Sequence, residues 1–231
     1  MLKIMYKLKN KALCEIAKIS NYVNYKNKRI TKFEYDLKKR FLKKTQQFGV
    51  TEFYQSYPPL YFPGTRNTLC RFQIYNLKNK LNKNQEILDI GGNIGFFSAY
   101  LSKFVKQIDL IEYNKELSEI GNILIKKEKI KNMSIINKDF KIFKTTKKYD
   151  VVLSLAIHQW VNLKFEDYIE RINFFLKKNG VLLIESHFIF DKSGDRIYSK
   201  LKKIKEFKIL QKGIIDDDNG RIREFFWLKK V

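Results

Sequence analysis

Between residues 86 and 186 the chain alternates short apolar segments with amphipathic ones, and nothing else in it constrains the fold so strongly. Residues 86–90, 108–113, 133–137, 149–155 and 181–186 are rich in Ile, Val and Leu, with the length and composition of buried strands. Between them, 94–105, 114–128 and 165–178 carry apolar residues at helical spacing, and Asn179-Gly180 is placed to stop the last. Strands and helices in this order imply parallel strands, right-handed crossovers and helices on both faces of one sheet. Near the end, 207–212 and 223–229 flank Asp216-Asp217-Asp218-Asn219-Gly220, so two strands joined by a turn should add an antiparallel pair. The expected class is α/β: three layers around a seven-stranded sheet, mostly parallel, with an antiparallel C-terminal hairpin. No internal repeat is visible.

The N-terminal part reads differently. Residues 1–20 predict a helix, with Leu2, Met5, Leu8, Ala12, Leu13, Ile16 and Ile19 near helical spacing and Lys3, Lys7, Lys11 and Lys18 mostly off that stripe. A second helix is expected over 31–47, with Thr31 as N-cap, Glu34 three residues on, and Gly49 closing it. All three prolines fall in 53–63, predicting an extended aromatic connector that leads through Gly64-Thr65-Arg66 into a helix over 68–80. The division expected is a basic helical extension with its connector over 1–62 and the α/β domain over 63–231. The two helices either pack on their own domain or dock on an anionic membrane surface or on RNA.

The net charge of +23 invites a nucleic-acid partner, since phosphate neutralisation supplies most non-specific affinity. Composition counts against it: 39 of the 47 basic residues are Lys, alongside abundant Ile, Asn, Phe and Tyr, as compositional bias produces in any protein. Nucleic acid is therefore a possible partner but not the favoured one. Cys14 and Cys70 offer neither metal spacing nor a disulfide framework, and no metal site is expected. No apolar run is long enough to span a bilayer, and lysines interrupt the N-terminus where a signal peptide would be continuous. The expected location is cytoplasmic, with contact at the inner face of the membrane through the first helix left open.

Open α/β sheets bind ligands outside the carboxyl ends of their strands, so the first strand-to-helix turn matters most. Here Ile87-Leu88-Asp89-Ile90 runs into Gly91-Gly92-Asn93-Ile94-Gly95. Asn93 and Phe96 stand where the dinucleotide fingerprint needs glycine, and no P-loop Lys-Ser/Thr follows, which demotes NAD and ATP. The stretch ILDIGGNIGFFSAYLS resembles the first motif of class I S-adenosyl-L-methionine (SAM)-dependent methyltransferases, with Asn93 in place of the middle glycine. That resemblance implies a Rossmann-like fold and SAM as methyl donor. It places Asp89 toward the donor's methionine portion, with Gly91, Gly92, Asn93, Gly95 and Phe96 around its floor. Glu112, ending the second strand, would accept the ribose hydroxyls beside Tyr113. Asp139 and Phe140 would meet the adenine, and Leu155 would close the cofactor site.

The fourth strand runs into Ser154-Leu155-Ala156-Ile157-His158-Gln159-Trp160, similar to small-molecule methyltransferases reading S-x-A-x-x-Q-W. His158 is a candidate general base, since His titrates near working pH, or else it only packs in the pocket wall. His187, ending the fifth strand, is its rival, and Trp160 is expected in the acceptor wall. Tyr61 and Arg66 belong to a stretch that could cover the acceptor, Arg66 pairing with the SAM carboxylate or an anionic acceptor, or sitting on a solvated turn. The reading is O-methylation of a small-molecule or sugar-type (glycan-type) acceptor. An RNA methyltransferase docking through the basic helices and a non-catalytic SAM-fold partner module remain as alternatives. Oligomeric state is not readable.

Overall fold

The structure is a computed structural model describing residues 2–45, 51–187, 196–216 and 222–231. The helix stop at Gly49 and most of the turn at 216–220 lie outside the described residues. Two helices lead, α1 (Leu2–Lys26) and α2 (Lys32–Thr45), so the first runs beyond the predicted residue 20. Thr31 caps α2 as expected, its Oγ1 accepting the Glu34 N–H at 3.1 Å. The helices meet where Tyr25 stacks on Tyr35 at 4.7 Å and Asn21 Nδ2 donates to the Tyr35 carbonyl at 3.3 Å.

The connector contains more structure than its prolines suggest. Short strands β1 (Phe53–Gln55) and β2 (Gly64–Arg66) pair in parallel around a 3-10 turn at Pro58–Leu60. Phe53, Tyr57 and Phe62 are buried around Phe96, and Leu37 and Phe41 of α2 join the same core. The single helix expected over 68–80 is two, α3 (Thr68–Ile74) and α4 (Leu77–Lys80), because Asn76 takes a left-handed conformation with φ 55° between them.

The main sheet holds β3 (Glu86–Ile90), β4 (Gln107–Glu112), β5 (Met133–Asn137), β6 (Tyr149–Leu155), β7 (Leu176–Glu185), β8 (Phe207–Asp216) and β9 (Ile222–Lys230). Their order across the sheet is β5-β4-β3-β6-β7-β9-β8, with β9 antiparallel to both its neighbours. The linking helices are α5 (Phe96–Leu101), α6 (Lys115–Glu128), α7 (Phe165–Phe175) and α8 (Ile197–Leu201), the last not foreseen from the sequence. α7 stops short of Asn179-Gly180, because Leu176 is already extended (φ −79°, ψ 140°) and pairs with Tyr149.

Alternation along the strands divides the core in two. Ile87, Ile108, Leu110, Val151, Leu153, Leu183, Phe225 and Trp227 face the layer of α2, α3, α5 and α6. Leu88, Ile90, Ile111, Val152, Leu182, Ile184, Phe226 and Leu228 face α7 and α8. The chain leaves β3 for β4 on one side and returns to β6 on the other. The carboxyl ends of β3 and β6 therefore flank a crevice at the point where strand order reverses.

Candidate active site

At that crevice β3 ends and the chain turns through Gly91 (φ 68°), Asn93 (φ 60°) and Gly95 (φ 79°) into α5. A Cβ on Gly91 would strike the Ile157 side chain, so only glycine lets the backbone pass there. Asn93 tolerates the left-handed region by a local bond, its Oδ1 accepting the Ile94 N–H at 2.8 Å, which explains why it can replace the expected glycine. Asp89 lies beneath the turn, 3% exposed, its Oδ2 accepting the Ser98 hydroxyl at 2.5 Å. Burial pushes its carboxyl up to about 6, against the opposing pull of that hydrogen bond and of the Arg71 charge.

Beside the turn opens a cavity of about 500 Å³ whose wall includes Gly91, Ile111, Glu112, Tyr113, Asp139, Phe140, Ile157 and Trp160. Glu112 stands at the end of β4 with both oxygens engaged by loop backbone. Oε2 accepts the Asn93 N–H at 3.0 Å and Oε1 the Asn114 N–H at 2.8 Å. Burial raises its carboxyl, those two bonds lower it, and the neighbouring Asp89 charge raises it, with a net upward shift. Asp139 holds its own loop, Oδ1 accepting the Lys141 N–H at 2.8 Å. Phe140 forms the floor and is packed from below by Tyr168 and Phe175. Tyr113 (75% exposed) and Trp160 (65%) are left at the rim.

Five of the expected cofactor residues thus line one cavity: Gly91, Glu112, Tyr113, Asp139 and Phe140. Asp89, Gly92, Asn93 and Gly95 shape the turn from outside its wall. Phe96 is wholly buried among Phe53, Tyr57 and Phe62, so its ring serves the core. Leu155 is half-buried at the end of β6 and also lies outside the wall.

Among the expected acceptor residues, Trp160 lines the cavity, and the His187 ring packs edge-on against it at 5.6 Å. The His158 ring instead packs edge-on to Phe165 at 5.9 Å, toward α7. Tyr61 is 92% exposed on the connector's turn, and Arg66, 1% exposed, is ion-paired with Glu185 rather than on a solvated turn. Sequence reasoning missed Ser98 and Ile157, which brace the turn from α5 and from the end of β6. It also missed Glu185 as a partner of Arg66, 119 residues further along the chain. No local pattern announces such partners.

A glycine where a side chain would collide, an acid ending β4 and a second acid after β5, all around one cavity, fit an adenosine-bearing ligand such as SAM.

Comparison with known proteins agrees. A family profile described as a methyltransferase domain matches residues 64–208, more than half of the chain. Malonyl-[acyl-carrier protein] O-methyltransferase 2 of Ilyobacter polytropus is 31% identical over 102 residues, 43% of this chain and 38% of that protein. Ubiquinone biosynthesis O-methyltransferase of Pelagibacter ubique is 31% identical over 123 residues, 51% and 48% of the respective chains. The matches thus span half or less of these curated relatives. The N-methyltransferase NodS of Bradyrhizobium japonicum in complex with S-adenosyl-L-homocysteine (SAH) shares the fold at a TM-score of 0.57 and 12% identity, over 68% of this chain and 84% of that one. Fold and site define the class I, Rossmann-like architecture that uses SAM as donor. The chain belongs to the SAM-dependent methyltransferase family.

Proposed function

We propose that this chain methylates an oxygen of a small-molecule or sugar-type acceptor, with His187 as the general base. The observation that carries it is the placement of His187 against Trp160 at the edge of the cavity. Its Nδ1 faces the Ala156 carbonyl oxygen at 3.4 Å. A carbonyl only accepts, so the contact selects the tautomer with the proton on Nδ1. SAM, when bound, supplies a methyl group on an activated sulfonium. Gly91, Glu112, Tyr113, Asp139 and Phe140 hold the donor, Trp160 bounds the acceptor, and His187 takes the proton from its hydroxyl. His158, turned toward α7, acts by packing.

The test is calorimetry with SAM followed by transfer of labelled methyl to a panel of hydroxylated acceptors. His187→Ala should lower kcat by about 10²–10⁴-fold with little change in KM, and His158→Ala much less. Undiminished turnover in His187→Ala would overturn the base, and failure of the intact chain to bind SAM would overturn the function.

One surface favours a second reading, concerning where the chain works. Ile16, Ile19, Tyr22 and Val23 of α1 are 45–64% exposed, while the helix meets Tyr35 of α2 through Asn21, Tyr25 and one side of Tyr22. The apolar stripe therefore faces outward from a segment, residues 1–50, with 14 basic and 3 acidic side chains. We propose that α1 lies on an anionic membrane surface, apolar stripe inward. Sedimentation should show binding to vesicles containing phosphatidylserine and not to pure phosphatidylcholine, lost in Ile16→Glu/Ile19→Glu. Equal binding by that variant would overturn the proposal, as would salt-sensitive RNA binding without vesicle binding.

A further inference from the structure

Strands β5 and β6 are joined by residues 138–148, which form neither helix nor strand. Asp139 and Phe140, both in the cavity wall, stand on this connection. Irregular surface chain is ordinarily the most mobile part of a fold, so residues placed on it need support from elsewhere. Part of that support is local: the Asp139 carbonyl accepts the Ile142 and Phe143 N–H groups at 3.1 and 3.0 Å. These bonds close a turn, but they do not fix it to the domain.

The anchor comes from α7. Tyr168, Arg171 and Phe175 are spaced by three and four residues along it, so they share one helix face. The rings of Tyr168 and Phe175 pack on Phe140 at 5.5 and 5.9 Å. Arg171 Nε donates to the Phe140 carbonyl at 2.7 Å, and its Nη2 donates to the Phe143 carbonyl. The guanidinium also lies 5.3 and 5.5 Å from the ring centres of Phe140 and Phe175. Nε and Nη2 are one edge of a planar fork, so a single rigid group grips both ends of the turn, which the point charge of a lysine does not do. Burial lowers the Arg171 guanidinium and the Asp139 charge opposes it, so the acid stands within the field of the arginine.

We propose that Arg171 is a positioning residue for base selectivity: it pre-forms the 139–143 turn so that the Asp139 carboxylate meets the amino group of the donor's adenine. Arg171 is not part of the cavity wall and acts only through the turn. An amino group donates to a carboxylate, whereas hypoxanthine carries a carbonyl oxygen at that position and would set acceptor against acceptor. Telling the two bases apart requires the acid to be held still. On a loose turn it would swing away from hypoxanthine at little cost, and ordering it on adenine would consume the gain. The inference rests on the donor reading of this cavity.

Calorimetry on the intact chain compares SAH with its hypoxanthine counterpart, S-inosyl-L-homocysteine. Wild type should prefer SAH by at least about tenfold, the worth of one charge-assisted hydrogen bond. Arg171→Met keeps the packing on both rings and loses the fork, so it should weaken SAH about tenfold and shrink the preference to about twofold. Arg171→Lys returns a cation without the fork and should recover only part of the preference. An undiminished preference in Arg171→Met overturns the positioning role, because mere loss of stability weakens both ligands alike. Full recovery in Arg171→Lys overturns the fork. Hydrogen exchange of the unloaded wild type needs no variant: the Ile142 and Phe143 amides should be protected before any donor is added, and exchange at the rate of open chain overturns the pre-formed turn. If wild type binds SAH without preference, Asp139 does not read the amino group and the inference falls alone. If it binds neither ligand, the donor reading itself fails.

Discussion

Replacing Glu112 by Ala should lower the affinity for SAM at least about a hundredfold, read by titration calorimetry on the intact chain. Charge-assisted hydrogen bonds contribute about 1.5–3 kcal/mol each, and a ribose presents two hydroxyls to this one carboxylate. The substitution also removes what ties the loops after β3 and β4 together, since Glu112 accepts the N–H groups of both Asn93 and Asn114. Glu112→Gln separates the two contributions. It keeps one acceptor and the side-chain volume but loses the charge, and should fall between wild type and Glu112→Ala. Asp89→Asn should cost less than Glu112→Ala, because Asp89 braces the turn through Ser98 from outside the cavity wall. If Glu112→Ala binds SAM within a few-fold of wild type, the cavity beside β4 is not the donor site.

The difference between those two acids shows what the sequence could and could not reveal. Glu112 was legible because the resemblance to methyltransferases calls for an acid ending the second strand, and the register agrees: Ile111 lies beside Ile90, so the next residue emerges at the carboxyl edge. The strands were legible because each is a short, near-continuous run rich in Ile, Val and Leu, too short for a helix and set between amphipathic segments. The break at Asn76 and the early end of α7 were not, because each depends on one residue's backbone conformation answering to tertiary packing. The connector was misleading in another way. Its prolines predict extended chain, but its aromatics are buried around Phe96, a core position that the glycine-rich motif suggested for the cofactor. Least legible was the arginine cluster, where residues 66, 71, 185 and 223 meet only once β2, α3, β7 and β9 are assembled.

That cluster sets the second large expectation: Glu185→Gln should destabilise the chain by about 3–5 kcal/mol near neutral pH, although it opens no cavity. Removing the carboxylate takes from three buried guanidinium groups the anion they share, and breaking a buried pair by deleting one partner typically costs that much. In thermal terms the loss is roughly 6–20 °C for a chain of this size. The acid dependence gives an independent measure. Burial alone would raise the Glu185 carboxyl, but Arg71, Arg223 and Arg66 pull it from 4.5 down to about 2. A carboxylate whose folded value lies below its unfolded one contributes fully above the unfolded value and loses that contribution as pH falls toward the folded one. The window here runs from about 4.5 down to about 2. Across it the shift corresponds to roughly 3 kcal/mol, in line with the substitution. The gap in stability between wild type and Glu185→Gln, measured by urea unfolding, should therefore be constant from pH 7 to about pH 5 and narrow as pH falls toward 3. A gap under about 1 kcal/mol at pH 7, or one that does not change with acid, would show that Glu185 does not neutralise the three arginines.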